Sequence, residues 1–345
     1  MIALLNRPFC KMSLALAAMF VMALQPVRAA DFYAGKTIEL IVANTVGGGY
    51  DQYGRIIARH FGRLIPGQPT LIVRNMPGAG GVRAANYMAT IPPRDGTVLA
   101  LLTREVALAP LLAPNPAAYQ FKAEQFNWIG SPQQDLGLLL LTDKAPAQTL
   151  EQLRSRPVVM SGTGPGSGPS TFPLVLNEVL GFKMKVVPGY PGSQEALLAM
   201  ENGEADGHVS GGSSAAFRGR INPLAEQGKV KVLMQLGMAK DAAYPAAPLI
   251  FELVQDERAR QLLELIFTPQ YLGRPVIAPP GVAPERVALL RNAFNATMRD
   301  EAFLAEARIQ QLDVAPVTGE QIADVLKRVY SLPPELIERA NQLGK

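Results

Sequence analysis

Along the chain, short apolar runs alternate with glycine-rich loops and with stretches in which apolar residues recur every three to four positions. The run 38–42 is apolar and rich in β-branched residues, which predicts a buried strand. It leads into three glycines at 47–49, after which Tyr53, Ile56 and Phe61 follow helical spacing. This order of strand, glycine-rich loop and amphipathic helix is the unit around which the rest of the chain is arranged.

The unit is repeated in the next fifty residues. A second apolar run at 71–73 leads into the glycine-rich loop 77–81 and a short helix at 82–90. A third strand is predicted at 97–102 and a third loop at 103–105. The pattern therefore predicts a βαβαβ arrangement with parallel strands.

The second half of the chain shows the same alternation. Serine- and glycine-rich loops occur at 161–170, 188–193 and 211–214, and each follows an apolar run. The strands predicted in this half are 136–141, 158–160, 186–187, 205–209 and 230–236. Beyond residue 284 the spacing is helical, and Thr318 and Gln321 have capping-box spacing. The chain is predicted to hold two α/β units and a helical tail.

The glycine-rich loops lie where strands are expected to end and helices to begin. Glycine lets a ligand approach the backbone closely, and the first turn of a helix leaves N–H groups unpaired. These donors and the helix dipole favour an anion. Because parallel strands end at one edge of a sheet, the sequence predicts a pocket there for a negatively charged ligand.

The first thirty residues have the features of a secretory leader. Arg7 and Lys11 precede an apolar stretch at 12–24, and small residues around Ala29 fit a cleavage site. We predict a signal peptide over 1–29 and export to the periplasm of a Gram-negative cell. The single cysteine, Cys10, would leave with this leader, so thiol catalysis is not expected.

Composition and charge are those of an ordinary globular protein, with 48% hydrophobic and 18% charged residues. The formal net charge is +4, but residues 1–30 contain three basic and no acidic residues, which leaves +1 for the rest. No basic run with interleaved aromatic residues occurs. We therefore expect no nucleic-acid partner.

Enzyme signatures are weak or out of context. The segment Gly35-Lys36-Thr37 imitates the end of a phosphate-binding loop, but it precedes its strand and lacks the earlier glycine. The loop 162–167 resembles a dinucleotide fingerprint only loosely, and no serine has glycines two residues to either side. We expect no catalytic residue, no cofactor and no metal.

Several polar side chains allow more than one role. His60 falls among apolar helical positions and is expected to pack, whereas His208 shares a strand face with Asp206, so a metal or general-base role stays open. Asp206 is favoured as a partner of loop N–H groups that holds the ligand cleft. Asp51 either contacts ligand or caps its helix, with capping favoured. The arginines able to form a carboxylate fork are Arg74, Arg83, Arg104, Arg218 and Arg274, of which Arg104 is favoured by its place at a strand end.

The order of the loop motifs over nearly the whole chain resembles the tripartite tricarboxylate transporter substrate-binding proteins, also called Bug proteins. The motifs are VGGGYD at 46–51 with Arg55, NMPGAGG at 75–81, PRDG at 93–96, GTGPGS at 162–167, GYPGS at 189–193 and GEAD at 203–206. Each motif is weak alone, and the ordered set is specific.

The resemblance implies an α/β, two-domain periplasmic binding protein of type II-like architecture, with the ligand cleft between the domains. Domain 1 would comprise 30–132 and about 256–345, and domain 2 would comprise 133–255. The protein would be a monomeric receptor that captures a small carboxylate and delivers it to membrane permease subunits. The implied ligand-binding residues are Gly48, Gly49, Tyr50, Asp51, Ala79, Gly80, Gly81, Thr163, Gly164, Ser167 and Ser193, to which the residue-level reasoning adds Arg104 and Asp206.

Three segments depart from the family pattern, so the resemblance does not identify the ligand. Arg104 and Glu105 stand where small polar residues are frequent, Pro169-Ser170 replaces a frequent histidine-containing helix start, and 271–275 replaces a tryptophan–glycine stretch. An extracytoplasmic sensing module for a signalling kinase is the alternative function. An exported hydrolase is a third hypothesis, but the sequence lacks a convincing base–nucleophile pair.

Overall fold

The computed structural model describes residues 32–112, 119–164, 167–211 and 215–343. The predicted signal peptide, residues 165–166 of the predicted loop 161–170 and residues 212–214 of the predicted loop 211–214 lie outside the described residues. The strands are β1 Thr37–Val42, β2 Thr70–Asn75, β3 Val98–Leu101, β4 Asn127–Ser131, β5 Gly137–Thr142, β6 Val158–Ser161, β7 Met184–Val187, β8 Gly207–Gly211, β9 Val230–Leu236, β10 Val276–Ala278 and β11 Val317–Thr318.

The α-helices are separated from the strands by short loops and single 3₁₀ turns. They are α1 Gly49–Leu64, α2 Val82–Thr90, α3 Ala109–Leu112, α4 Gly168–Leu180, α5 Ser193–Glu201, α6 Ala215–Glu226, α7 Ile250–Leu253, α8 Glu257–Leu272, α9 Pro284–Thr297, α10 Glu301–Ile309, α11 Gly319–Tyr330 and α12 Pro334–Leu343. None of the helices in the described ranges has the length and apolar character that crossing a bilayer requires.

The first sheet has six strands in the order β11-β4-β10-β3-β1-β2. β1 pairs in parallel with both β2 and β3, which is the predicted βαβαβ arrangement, whereas β10 runs antiparallel to β3 and β4. Helices cover both faces, and Ile38, Leu40 and Ile41 of β1 are fully buried. A near-continuous apolar run is what a strand with two covered faces requires.

The second sheet has five strands in the order β7-β6-β8-β5-β9. β6 pairs in parallel with β7 and β8, and β5 runs antiparallel to β8 and β9. Leu138, Leu139, Leu140 and Leu141 of β5 are completely buried, because this central strand is also covered on both faces. The two sheets thus have separate cores.

The strand registers show which edges of the two sheets face each other. Gly130 of β4 and Leu101 of β3 both pair with Val276, so β4 ends at the edge where the parallel strands of the first sheet end. Gly137 of β5 pairs with Gly211, so β5 begins at the edge where β8 ends. The linker 132–136 therefore joins the carboxyl edge of one sheet to the carboxyl edge of the other.

The returning crossover lies against this linker. A Cβ at Gly273, where φ is +55°, would overlap the backbone carbonyl oxygen of Gln133, so only glycine permits this approach. The hydroxyl of Ser131 accepts a hydrogen bond from the Arg274 backbone N–H at 3.0 Å and donates to the Gln133 carbonyl at 2.7 Å. The two crossovers form the base of a cleft between the two carboxyl edges.

Helix α8 belongs to both cores. Leu263 and Phe267 pack in the core of the second sheet, and Leu265 and Leu272 pack in the core of the first. The boundaries predicted from the sequence place α8 wholly in domain 1, and they stay a prediction. Packing on both sides makes α8 the rear connection between the two halves.

Candidate functional site

The loop from β1 to α1 presents main-chain donors at the cleft. Gly48 is the N-cap of α1 and makes no side-chain cap hydrogen bond. The helix provides no partner for the N–H groups of its first turn, and Gly48 and Gly49 are exposed. The amino end of α1 is therefore open to an acceptor.

The loop from β2 to α2 has four successive residues with positive φ, namely Gly78 at 144°, Ala79 at 48°, Gly80 at 60° and Gly81 at 97°. The hydroxyl of Thr103, at the end of β3, donates to the Gly80 carbonyl at 2.5 Å. Ala79 and Gly80 are exposed, whereas Gly81 is buried against Thr103. The hydrogen bond from Thr103 holds this strained β2–α2 turn beside the loop that follows β3.

The Tyr50 side chain joins the β1–α1 loop to Gly273 of the returning crossover and to Arg104 after β3. Its hydroxyl donates to the Gly273 carbonyl and accepts from the Arg104 backbone N–H, both at 3.2 Å. Burial raises the pKa of Tyr50 to about 12, with the nearby charge of Glu105 acting in the same direction. The phenol therefore stays neutral and acts as a brace, and its ring forms part of the cleft wall.

Asp51 does not face the cleft, in contrast to its predicted ligand contact, and it is not the helix N-cap. Only 2% of its surface is exposed. Its carboxylate accepts from Arg55 Nε, from the Gly47 backbone N–H and from the Asn75 amide, each at 2.9 Å. The hydrogen bond from Arg55 is the main cause that lowers its pKa to about 2. Asp51 holds the shape of the first loop.

Arg104 lies at the cleft, as its place at a strand end predicted, but its charge is already compensated. The guanidinium pairs with Asp135 of the linker and with Glu105 at 3.0 Å. Burial lowers the Arg104 pKa, and the charges of Asp135 and Glu105 outweigh this and raise it. The prediction of a free carboxylate fork at Arg104 is not supported by this geometry.

The loop from β6 to α4 forms the opposite wall. The hydroxyl of Thr163 donates to Ser167 Oγ at 2.6 Å, and Ser167 Oγ donates to the Gly164 carbonyl at 2.7 Å. The Gly189 backbone N–H donates to the Thr163 carbonyl at 3.3 Å, which brings the β7–α5 loop and Ser193 to the same edge. Gly164 and Ser193 are exposed there.

Asp206 lies away from the cleft, contrary to its predicted role. Its carboxylate accepts from the Val159 backbone N–H at 2.8 Å, near the start of β6, whereas Thr163 follows the end of that strand. At about 3.3 Å per residue the two positions are roughly 13 Å apart. Asp206 directly precedes the first residue of β8, so it lies at the amino edge of the sheet, whereas the glycine-rich loops follow the carboxyl ends of the strands.

His208 is fully buried in the second sheet. Its Nδ1 lies 3.0 Å from both Oγ and the carbonyl oxygen of Ser161, and burial lowers its pKa to about 4. The neutral ring fits a packed core position. Within the described residues, no group of three or more His, Cys, Asp or Glu side chains is placed to hold a metal ion.

A cavity of about 390 Å³ lies between the two walls. Arg104 and Glu105 line it from the first sheet, Ser167 and Thr171 from the second, and Gln270 of α8 from the rear. A cavity of this volume suits a small organic acid. Hydrogen bonds connect the first two loops to the wall that carries Arg104: Tyr50 accepts from the Arg104 backbone N–H, and Thr103 donates to the Gly80 carbonyl.

Sequence analysis missed the polar network at the cleft base. The Gln133 side-chain amide donates to Asp135, and its oxygen accepts from Arg274 Nη1. Gln133 is 4% exposed. The available signal was a polar run, 133–135, between two apolar strands. This network couples both crossovers to the Arg104 loop.

Comparison with known proteins identifies the family. A family profile described as "Tripartite tricarboxylate transporter family receptor", or TctC, matches residues 55–332. The chain belongs to the TctC family. Members of this family are periplasmic solute-binding receptors and not enzymes. The resemblance inferred from the loop motifs is thereby confirmed.

Individual relatives of this TctC-family protein are distant. It is 28% identical over 302 residues to a protein of Cupriavidus necator named "UPF0065 protein in gbd 5'region", covering 82% of this chain and 81% of that protein. A TctC solute-binding protein from Polaromonas has a similar structure, with a TM-score of 0.70 and 23% identity over 89% of this chain and 99% of that one. The two-domain periplasmic binding protein fold is therefore confirmed.

Two further structures of this fold contain small acids. MatC from Rhodopseudomonas palustris, with bound malate, has a TM-score of 0.51 and 20% identity, covering 90% of this chain and 99% of that one. A second R. palustris protein, with adipate, has a TM-score of 0.54 and 19% identity, covering 89% and 98%.

Proposed function

We propose that this protein captures a small carboxylate in the cleft between its two sheets and delivers it to the permease subunits of a tripartite tricarboxylate transporter. The observation that carries the proposal is the convergence of helix amino ends on one cleft. α1 and α2 begin at the carboxyl edge of the first sheet, and α4 and α5 begin at the facing edge of the second.

The electrostatics of this arrangement favour an anion. Each helix amino end is equivalent to roughly half a positive charge and offers unpaired N–H donors. The acidic side chains nearest the cleft base, Asp135 and Glu105, are paired with Arg104. Arg104 balances only one of these two carboxylates, so the group keeps about one negative charge, against roughly two positive charges for the four helix ends together. The balance still favours an anion, and a small carboxylate fits the cavity volume.

The bound acids of the two R. palustris proteins support the same ligand class. Malate and adipate are both dicarboxylates, and each occupies a protein with this fold. We propose that the ligand here is likewise a mono- or dicarboxylate. The predicted leader over 1–29 would export the chain to the periplasm, where such receptors work.

Calorimetry on the protein purified from the periplasm tests the proposal. Expressed with its own leader, the chain should have a mass that corresponds to cleavage after Ala29. Titration with succinate, malate, adipate and benzoate should give saturable binding of at least one acid, and the same acid should raise the midpoint of thermal unfolding. Failure of all four acids to bind would contradict the proposed ligand class.

A pull-down experiment tests the delivery step. The acid-loaded receptor should retain permease subunits from detergent-solubilised membranes of the native host more strongly than the acid-free receptor does. Retention of a membrane-bound kinase in place of permease subunits would favour the sensing alternative.

A further inference from the structure

We propose that Arg274 is the side chain that anchors a carboxylate group of the ligand and makes the receptor distinguish acids from their neutral amides. This inference rests on the proposed function. It concerns the residue at which the 271–275 segment departs from the family pattern, at the amino end of β10 in the cleft base.

The guanidinium of Arg274 lies directly against the amino end of α1. A Cβ added to Gly49 would be 3.4 Å from Arg274 Nη2, so the absence of a side chain at Gly49 leaves this approach open. The unpaired N–H groups of the first turn of α1 and a full positive charge are therefore adjacent. Together they form a stronger anion site than either feature alone.

Two aromatic rings hold the guanidinium in place. Its central carbon lies 4.4 Å from the ring centroid of Tyr53 and 5.3 Å from that of Tyr50. The hydroxyl groups of both tyrosines are fixed, because Tyr53 donates to the Asp313 carbonyl at 2.7 Å and Tyr50 donates to the Gly273 carbonyl. Stacking of this kind favours arginine over lysine and pre-orients the planar group.

In the described part of the chain, the Arg274 guanidinium is not paired with a carboxylate. Among the described residues no carboxylate oxygen lies within ion-pair distance of its guanidinium, and its only side-chain hydrogen bond there is with the neutral amide of Gln133. Nε is buried and has no hydrogen-bond partner in the described part of the chain. Arg104, by contrast, is paired with two carboxylates.

The contrast between the two arginines decides which one takes the ligand. A carboxylate that approached Arg104 would have to displace Asp135 or Glu105 and leave that group unpaired. A carboxylate that binds Arg274 Nη2 displaces no anion, and it lies beside the unpaired N–H groups of the first turn of α1. The structure thus assigns the anchoring role to Arg274.

The experiment pairs a change in the protein with a change in the ligand. Wild-type protein and the variants Arg274→Gln and Arg274→Lys are titrated calorimetrically with succinate, adipate and benzoate. Each acid is matched by its neutral amide, namely succinamide, adipamide and benzamide. Arg59→Gln is the control, because Arg59 lies on the outer part of α1 and its loss changes the net charge equally.

Arg274→Gln should weaken binding of the preferred acid about 10- to 100-fold, as loss of a charged hydrogen bond predicts. The preference of the wild type for this acid over its amide should shrink by a similar factor. Arg274→Lys should recover part of the affinity, and Arg59→Gln should bind like the wild type. The unfolding midpoint without ligand shows whether each variant is folded.

The outcomes separate this inference from the proposed function. If the wild type binds an acid and folded Arg274→Gln keeps both the affinity and the preference for acid over amide, the anchoring role is wrong and the carboxylate receptor stands. If affinity falls but the preference is unchanged, Arg274 only braces the cleft base and the proposal is overturned. If the wild type binds none of the acids, both the proposed function and the anchoring role of Arg274 are wrong.

Discussion

At the scale of single residues, the charged groups around the cleft divide into those that maintain its shape and those that are free to meet a ligand. Asp51, for which helix capping was favoured over ligand contact, accepts three hydrogen bonds from its own surroundings. Arg104 is similarly occupied by Asp135 and Glu105. Residue type and place in a motif indicated that these residues matter, but only tertiary contacts reveal whether a charge is already satisfied.

Asp51→Asn should lower the free energy of unfolding by about 2 kcal/mol at pH 7, since a pKa held at about 2 lies nearly two units below its ordinary value. A lowered pKa means that the stabilisation is complete above pH 4 and is lost as pH falls toward 2. Urea unfolding of both proteins at pH 7, 4 and 2.5 should therefore show a difference that narrows with acidity. A difference that stays constant down to pH 2.5 would contradict this account of Asp51.

Ser167→Ala should weaken binding of the preferred acid by about 1 kcal/mol, because the Ser167 hydroxyl orders the β6–α4 loop and its loss leaves the Thr163 hydroxyl without an acceptor. Ser331→Ala is a matched control, since both hydroxyls donate to the carbonyl three residues earlier at 2.7 Å. Calorimetry should show reduced affinity for the first variant only. If Ser167→Ala binds the acid as tightly as the wild type does, the Ser167 hydroxyl does not contribute to the ligand site.

At the scale of elements, local patterns predicted the strands and helices that have a continuous apolar face. The β1–α1 and β2–α2 units and the capping box at Thr318 are confirmed. The strands β4, β10 and β11 were missed. β10 and β11 have only three and two residues, and in β4 the apolar pair Trp128–Ile129 is flanked by Asn127, Gly130 and Ser131, which leaves no apolar run. Between β5 and β6 the chain forms only the 3₁₀ turn Gln152–Arg154.

The turn before α2 shows how closely elements approach one another. Gly80 and Gly81 both have positive φ, but a Cβ at Gly80 meets nothing within 4 Å, whereas one at Gly81 would collide with Thr103 Oγ1 and lie 3.0 Å from Val106 Cγ2. Gly81→Ala should therefore destabilise the protein by about 2 kcal/mol more than Gly80→Ala, which carries mainly the backbone strain. Thermal unfolding of the two variants measures the difference, and equal losses would show that the collision is relieved by a shift of Thr103.

At the scale of the whole molecule, the two sheets are joined by more than their linkers. Because α8 places Phe267 in one core and Leu265 in the other, unfolding of either half exposes part of the other core. We expect a single calorimetric transition for the ligand-free protein. Phe267→Ala should lower its free energy of unfolding by about 3–5 kcal/mol while keeping one transition. Two resolved transitions in the wild type would show that the halves unfold independently.

The cleft itself was predictable only in outline. The glycine-rich loops indicated which edge of each sheet carries the candidate site, since parallel strands place their following loops together. The contacts of Arg104 with Asp135 and of Arg274 with Gln133 join residues 31 and 141 positions apart. No local period reports such pairs, and Arg274 was therefore treated in the sequence as one arginine among five.

The main-chain origin of most cleft donors has a consequence for how such receptors diversify. A backbone N–H persists whichever residue replaces its neighbour, so random substitution erodes the general affinity for acids only slowly. Discrimination among acids then depends on the few side chains whose charge is not paired with another group of the protein. Retargeting this receptor to another metabolite should need changes at a small number of such positions and leave the scaffold intact.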